Sequence, residues 1–152
     1  MSRISDLGEN FEKLPDIIAE YESVLAGVED NLKIEGKLLE HANREQAAWQ
    51  SYYDERKIEL SILVKYFDSQ VRRVRGKLFQ AYTENHSREL SDRAKDQYIN
   101  KEQAYLNIYG FYLEIDELYQ KFDSVVESFK ARGYALNNIT KIRVASLEDV
   151  TI

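Results

Sequence analysis

The sequence contains no cysteine, one proline and only six glycines in 152 residues. Without cysteine, disulfide bridges and thiolate metal sites are excluded, and a reducing compartment suits the chain. The scarcity of proline and glycine argues against a many-stranded sandwich, which needs frequent turns, and favours long helices. We therefore predict an all-α fold in a single helical domain, residues 1–152.

Long apolar runs are also missing. No stretch approaches the roughly 20 apolar residues of a membrane span. The segment MSRISDLGENFEKLP is acidic and lacks the apolar core of a signal peptide. These features predict a soluble cytoplasmic protein that does not enter membranes.

Residue combinations that support catalysis are scarce as well. The only histidines, His41 and His86, lie in polar surroundings, and neither belongs to a spacing such as H-x-x-x-H. There is no glycine-rich phosphate loop and no G-x-S-x-G motif. Carboxylates are plentiful, but on helices most of them form solvated faces. We expect no enzymatic activity, no cofactor and no metal site.

What the chain does contain is a long apolar register. Every seventh residue from Ile18 is nearly always apolar as far as Ala81, which predicts heptad-like helices over residues 15–82, after an acidic lead-in of residues 1–14. Pro15 suits the first turn of a helix. An unbroken rod of this length would extend about 100 Å and would need a partner along its length. Glycines or the polar residues 41–46 can equally divide the region into two or three helices.

The apolar stripe is lost over residues 83–100, where charges of both signs are mixed. We interpret this segment as a connection with one helical turn. Asn100 is then placed to cap a new helix, with Gln103 at the capping-box position.

C-terminal helices are predicted over residues 101–145. Apolar and aromatic residues recur there at steps of three and four, among them Tyr105, Tyr112 and Tyr119, which we assign to packing rather than to base stacking. Arg132 and Gly133 form a typical helix stop, and a short final helix follows it.

Basic side chains are concentrated in residues 56–78. Seven basic residues lie there against two acidic ones, an excess of about +5 in a chain of net charge −6. The seven are Arg56, Lys57, Lys65, Arg72, Arg73, Arg75 and Lys77. Such a local excess in an acidic chain is typical of a surface that binds a polyanion.

A helical wheel separates this segment into two faces. With Lys65 set at zero, the three nearest arginines lie within about 80°, whereas Leu60, Leu63 and Phe67 lie on the opposite side. Phe79 projects among the basic residues, Tyr82 flanks them, Lys77 lies toward the edge and Arg56 falls on the apolar seam. The predicted nucleic-acid-binding residues are Lys65, Arg72, Arg73, Arg75, Lys77, Phe79 and Tyr82.

Cations that follow phosphates, with an aromatic ring among them, suit a protein that binds single-stranded DNA without sequence preference. The alternative is a surface face whose charges pair with acidic residues of neighbouring helices or subunits. Periodicity alone does not choose between these two interpretations. Gly76 weakens the helix inside the basic segment, so we expect a helix end near it.

Two segments resemble the phage recombination mediator UvsY family. One is the C-terminal K-A-R-G-Y-A-L of residues 130–136, continued by Ile139, Ile142 and Arg143. The other is R-G-K-L at residues 75–78, followed by Phe79 and Tyr82, which is similar to the central K-x-R-L element of the family with the two basic residues exchanged. The resemblance covers the second half of the chain; the first half is similar in helical character only.

The resemblance implies an all-α protein that assembles into a homo-oligomer of about six or seven subunits. It also implies binding to single-stranded DNA, interaction with the single-strand DNA-binding protein that coats it, and assistance to a RecA-type recombinase. Arg75 and Lys77 would contact the DNA, and the C-terminal helices would support assembly. The competing expectation is a helical structural or scaffolding protein whose basic face makes subunit contacts.

Overall fold

The computed structural model of the protein describes residues 3–85 and 88–148. Over these ranges the chain forms five α-helices and no β-strand, so the predicted all-α fold is confirmed. The elements are a short 3-10 turn (Glu9–Phe11), α1 (Leu14–Ala26), α2 (Val28–Leu32), α3 (Leu39–Asn85), α4 (Asp92–Ile99) and α5 (Gln103–Glu148). None of these helices combines the length and the apolar composition that crossing a bilayer requires.

Helices α3 and α5 form a long antiparallel hairpin. The side chain of Asn43 bonds that of Thr140, and Lys57 pairs with Asp123. The two helices therefore run in opposite directions. At 47 and 46 residues, each helix is about 70 Å long.

The hydrophobic core lies between α3 and α5 and is covered by the N-terminal elements. Tyr53 of α3 stacks on Phe129 of α5 with ring centroids 4.8 Å apart. Leu7 is 1% exposed, and the ring of Phe11 lies edge-on to Phe67 at 5.3 Å. The predicted acidic lead-in is therefore part of the core packing. Burial of its few apolar side chains against the hairpin lowers the free energy of the folded state.

Burial along α3 is uneven. The buried residues of α3 are Ala42, Tyr53, Leu60, Leu63 and Phe67. From residue 68 to residue 85 no side chain is buried. We refer to residues 39–67 as the packed half of α3 and to residues 68–85 as its open half.

The predicted long helical region, residues 15–82, is divided rather than continuous. Helix α1 has Pro15 in its first turn, as expected, and α2 ends at Leu32. The chain then turns through residues 33–38, where Gly36 adopts a φ of +76° that favours glycine. The single-rod alternative is therefore wrong. Gly76, in contrast, lies within α3, and the helix end expected near it is absent.

The predicted connection, residues 83–100, contains more structure than one turn. Helix α3 continues to Asn85, and α4 spans eight residues. Ser91 caps α4 by accepting a hydrogen bond from the backbone N–H of Ala94 at 3.2 Å. Asn100 ends α4 and does not cap α5, so the predicted capping box is wrong.

The helix stop predicted at Arg132 and Gly133 is also wrong, since α5 passes through both residues. A Cβ atom at Gly133 would lie 2.9 Å from Nε2 of Gln46, so the glycine leaves room for this amide, which donates to the carbonyl of Phe129 and accepts from Arg132. Arg132 is 4% exposed and donates hydrogen bonds to the carbonyl of Leu32 at 3.1 Å and to Oε1 of Gln46 at 2.8 Å. This motif therefore fixes the packing of α2, α3 and α5 at one end of the hairpin.

Candidate nucleic-acid interface

Four of the seven predicted binding residues form an exposed row on α3. Lys65, Arg73 and Lys77 are exposed and make no hydrogen bond or ion pair with any residue that the structure describes. Arg72 is 79% exposed and pairs only with Asp68, one turn earlier, at 2.8 Å. We refer to Lys65, Arg72, Arg73 and Lys77 as the cationic face. The prediction that Lys65, Arg72 and Arg73 point away from the packed side of the helix is confirmed, and Lys77, expected toward the edge, is exposed as well; Arg75, predicted on the same outer side, is only partly exposed.

The helix itself fixes this orientation. Leu60, Leu63 and Phe67 are completely buried on one side of α3, and Lys65 and Arg72, which lie opposite them on the wheel, are exposed. Arg73 and Lys77 are four residues apart, and like charges at that spacing repel by a few tenths of a kcal/mol. An anion placed between them would relieve that repulsion.

Basic residues nearer the packed part of α3 have protein partners instead. Lys57 bonds Asp123 of α5 at 2.7 Å, and this hydrogen bond raises the pKa of the lysine. Arg56 lies over the ring of Tyr52, 3.8 Å from its centroid, and bonds the carbonyl oxygen of the same residue. Pairing with an acidic residue of a neighbouring helix, the alternative interpretation, therefore holds for Lys57, whereas Arg72 pairs within α3 and Lys65, Arg73 and Lys77 pair with no residue that the structure describes.

Arg75 is turned toward α4. Its Nη2 lies 3.0 Å from Oδ1 of Asp96, and its Nη1 donates to Oδ1 of Asn100 at 3.1 Å. The guanidinium carbon also lies 5.4 Å from the ring centroid of Tyr105, at the start of α5. Arg75, which was predicted to bind DNA, therefore already has three partners within the protein: Asp96, Asn100 and Tyr105.

Phe79 and Tyr82 are engaged in the same way. The ammonium group of Lys95 lies 4.8 Å from the ring centroid of Phe79. Tyr82 stacks on Tyr98 with centroids 5.5 Å apart and planes inclined by 22°. Its hydroxyl donates a hydrogen bond to Glu102, which raises the pKa of the Tyr82 phenol.

The seven predicted residues therefore fall into two neighbouring groups. Four form the cationic face, and three lie against α4 and the residues that follow it. We refer to this second group with its partners as the α4 cluster: Arg75, Phe79, Tyr82, Lys95, Asp96, Tyr98, Asn100 and Glu102.

Sequence reasoning missed the α4 side of this cluster. The available signals were Ser91 followed by Asp92, which is typical of a helix start, and Lys95 and Ile99, four residues apart, which share the buried face of α4. Both signals are weak in a segment of mixed charge.

The tyrosines of α5 have different roles. Tyr112 and Tyr119 pack against the core, as predicted. Tyr105 instead stacks on Tyr109, with centroids 5.6 Å apart and planes inclined by 9°, next to Arg75. Two stacked tyrosines of α5 therefore lie next to the α4 cluster.

Over residues 3–85 and 88–148, no group of three or more histidine, cysteine, aspartate or glutamate side chains is arranged to hold a metal ion.

Comparisons of the chain with protein-family models, with curated proteins and with solved structures gave no match. The class that the fold defines is an all-helical protein built on a long hairpin, with a cationic face on its outer side.

Proposed function

We propose that the protein is a non-enzymatic recombination mediator that binds single-stranded DNA. It helps to load a RecA-type recombinase onto DNA coated by a single-strand DNA-binding protein. The observation that supports DNA binding is the cationic face, exposed on a protein whose net charge is −6. The recombination role rests on the resemblance of the C-terminal segment to the UvsY family.

Single-stranded DNA fits this surface because exposed bases need rings to stack on. Aromatic side chains lie beside the cationic face, and Tyr109, which stacks on Tyr105 next to Arg75, is 37% exposed. Stacking of a base on an aromatic ring contributes about 1–3 kcal/mol and is independent of sequence. Cations that follow the phosphates supply the remaining affinity, which depends on salt.

The size of the cationic face favours an oligomer. From Lys65 to Lys77 the helix advances about 18 Å, so the cationic face contacts only a few nucleotides of a single strand. So short a contact binds weakly alone, whereas several linked copies raise the overall affinity greatly. We accordingly propose a homo-oligomer, with six or seven subunits as the resemblance implies. Its contacts would come from large apolar side chains that remain exposed: Leu106, Leu113, Tyr134, Ile142, Val144 and Leu147.

The same exposed apolar residues favour a second candidate, a helical scaffolding protein without DNA affinity. In that case the cationic face would make contacts between subunits. Charge reversal at Arg72 and Arg73 would then dissociate the assembly, whereas the mediator proposal predicts that the assembly persists.

The two candidates separate in one titration of fluorescent oligo-dT at low salt. The test variant is Lys65→Ala/Arg73→Ala/Lys77→Ala. The matched control is Lys33→Ala/Lys121→Ala/Lys130→Ala, whose lysines each pair with a nearby carboxylate, namely that of Asp30, Glu117 and Glu127. Both variants lose three positive charges, so they differ only in where the charge is removed.

DNA binding by the cationic face predicts that the test variant loses at least about tenfold in affinity and that the control loses much less. Because each phosphate contact contributes about 0.7 to the salt slope on single strands, the slope should fall by about 2 in the test variant only. Equal losses in the two variants would contradict a role for this face. Absence of binding by the unmodified protein would favour the scaffolding candidate.

A further inference from the structure

Within the α4 cluster, two side chains of α3 contact groups that resemble parts of a nucleotide. One contacts a carboxylate, which resembles a phosphate, and the other contacts an aromatic ring, which resembles a base. The guanidinium of Arg75 faces the Asp96 carboxylate, and guanidinium groups bind carboxylates and phosphates with the same forked geometry. The ring of Tyr82 faces the ring of Tyr98, where a nucleobase would stack in the same manner. An anion and a flat ring are thus presented two residues apart on one short helix.

We propose that Arg75, Phe79 and Tyr82 form a nucleotide subsite of the DNA-binding surface and that α4 occupies it in the free protein as an internal mimic. On binding, a phosphate replaces the Asp96 carboxylate on Arg75, and a base replaces Tyr98 on Tyr82. This inference rests on the proposed function, because it assigns a regulated part of the same surface.

The position of the subsite supports the proposal. Arg75 is one turn beyond Arg72 on α3 and only about 60° from it around the helix. A strand that passes over Lys65 and Arg72 can therefore continue to Arg75, whereas Arg73 and Lys77 lie about 160° from Arg75 around the helix. The side chains of Arg75 and Asp96 are 35% and 52% exposed, so an incoming phosphate can reach the pair from solvent.

The exchange is also energetically accessible. A partly exposed ion pair contributes little to stability, so its replacement by a phosphate costs little. Ile99 is completely buried and Lys95 is 8% exposed, so the face of α4 that they share is anchored. Asp96 and Tyr98 flank that face on either side and are exposed. Their side chains can therefore leave Arg75 and Tyr82 while α4 remains in place.

The alternative is that the cluster only holds α4 to α3. Two variants of equal charge separate these roles. Asp96→Asn removes the carboxylate that faces Arg75. Asp92→Asn removes a carboxylate of the same helix that is 85% exposed and lies 3.8 Å from Lys95. Each loses one negative charge from α4, so nonspecific attraction of DNA rises equally in both.

The experiment titrates oligo-dT at low salt with both variants, after circular dichroism has shown equal helix content. If loss of the Asp96 carboxylate frees Arg75 to bind phosphate, the Asp96→Asn protein should bind oligo-dT at least about threefold more tightly than the Asp92→Asn protein. The Asp96→Asn/Arg75→Ala protein should then lose this gain. Equal affinity of the two single variants, or weaker binding by Asp96→Asn, would overturn the internal mimic.

That result is distinguishable from failure of the proposed function. If the unmodified protein binds oligo-dT through the cationic face and Asp96→Asn behaves as Asp92→Asn, only the subsite is wrong. If neither the unmodified protein nor any variant binds oligo-dT, the proposed function and the subsite are both wrong.

Discussion

The packed half and the open half of α3 belong to one helix, yet their side chains meet different surroundings. In the packed half, Arg56 lies over a tyrosine ring and Lys57 pairs with Asp123 of α5. In the open half, Arg73 and Lys77 face solvent, and the structure describes no partner for either. The difference arises from what lies beside the helix, since α1, α2 and the middle of α5 cover only the first half.

This contrast shows why a cluster of basic residues is not by itself a binding surface. A cation that already bonds a carboxylate must give up that bond before it binds DNA. A cation that faces water and like charges gains a partner without losing one. Lys65, Arg73 and Lys77 of the cationic face meet that condition, whereas Arg56, Lys57 and Arg72 do not.

The largest effect that tests this contrast concerns two phenylalanines of α3. Phe67 is completely buried in the packed half, whereas Phe79 is half-buried under Lys95 in the open half. Phe67→Ala should lower the free energy of unfolding by about 3–5 kcal/mol, and Phe79→Ala by under about 2 kcal/mol. Urea unfolding followed by circular dichroism measures both. Equal losses would show that the open half is packed as tightly as the other.

A smaller effect concerns two helical glycines. A Cβ atom at Gly76 meets nothing within 4 Å, so Gly76→Ala should stabilise the protein by about 0.5–1 kcal/mol through helix propensity. A Cβ atom at Gly133 would push Gln46 away from its hydrogen bonds to Arg132 and to the carbonyl of Phe129. Gly133→Ala should therefore destabilise the protein. A similar gain in thermal midpoint for both variants would contradict the close packing at Gly133.

The smallest expected effect is a pH-dependent change in the stability of the protein, which depends on Glu45 in the packed half. A hydrogen bond from Lys37 lowers the pKa of Glu45, whose carboxylate also lies 3.7 Å from Nη2 of Arg132. Because the folded-state pKa is depressed, this stabilisation is present above the ordinary glutamate pKa and is lost as the pH falls. Glu45→Gln should lower the urea midpoint slightly at pH 7 and leave it unchanged at pH 3. A difference that persists at pH 3 would contradict this assignment.

Local patterns predicted the all-helical fold and the side of α3 on which exposed basic residues lie. The scarcity of glycine and proline indicated helices, and the spacing of Leu60, Leu63 and Phe67 fixed which side of α3 is buried. That spacing also placed Lys65, Arg72 and Arg73 on the outer side. The first of these predictions depends on composition and the others on the period of a helix, and a single sequence displays both directly.

The errors arose where contacts between distant residues override local preference. Gly133 reads as a helix stop, but Gln46 of α3 needs the space that its missing Cβ leaves. Asn100 reads as an N-cap, but it ends α4 and its side chain accepts a hydrogen bond from Arg75. The docking of α4 beside Arg75 joins residues more than 20 positions apart, and no periodic pattern encodes it.

Lysine reactivity in the unmodified protein tests the central claim, that DNA binds where cations lack protein partners. The measurement is acetylation by a water-soluble reagent with and without saturating oligo-dT, quantified by mass spectrometry. The account predicts strong protection of Lys65 and Lys77 and unchanged reactivity of Lys33, Lys121 and Lys130, which face solvent beside carboxylates. Equal protection of all five lysines, or protection that spares Lys65 and Lys77 while DNA is bound, would contradict it.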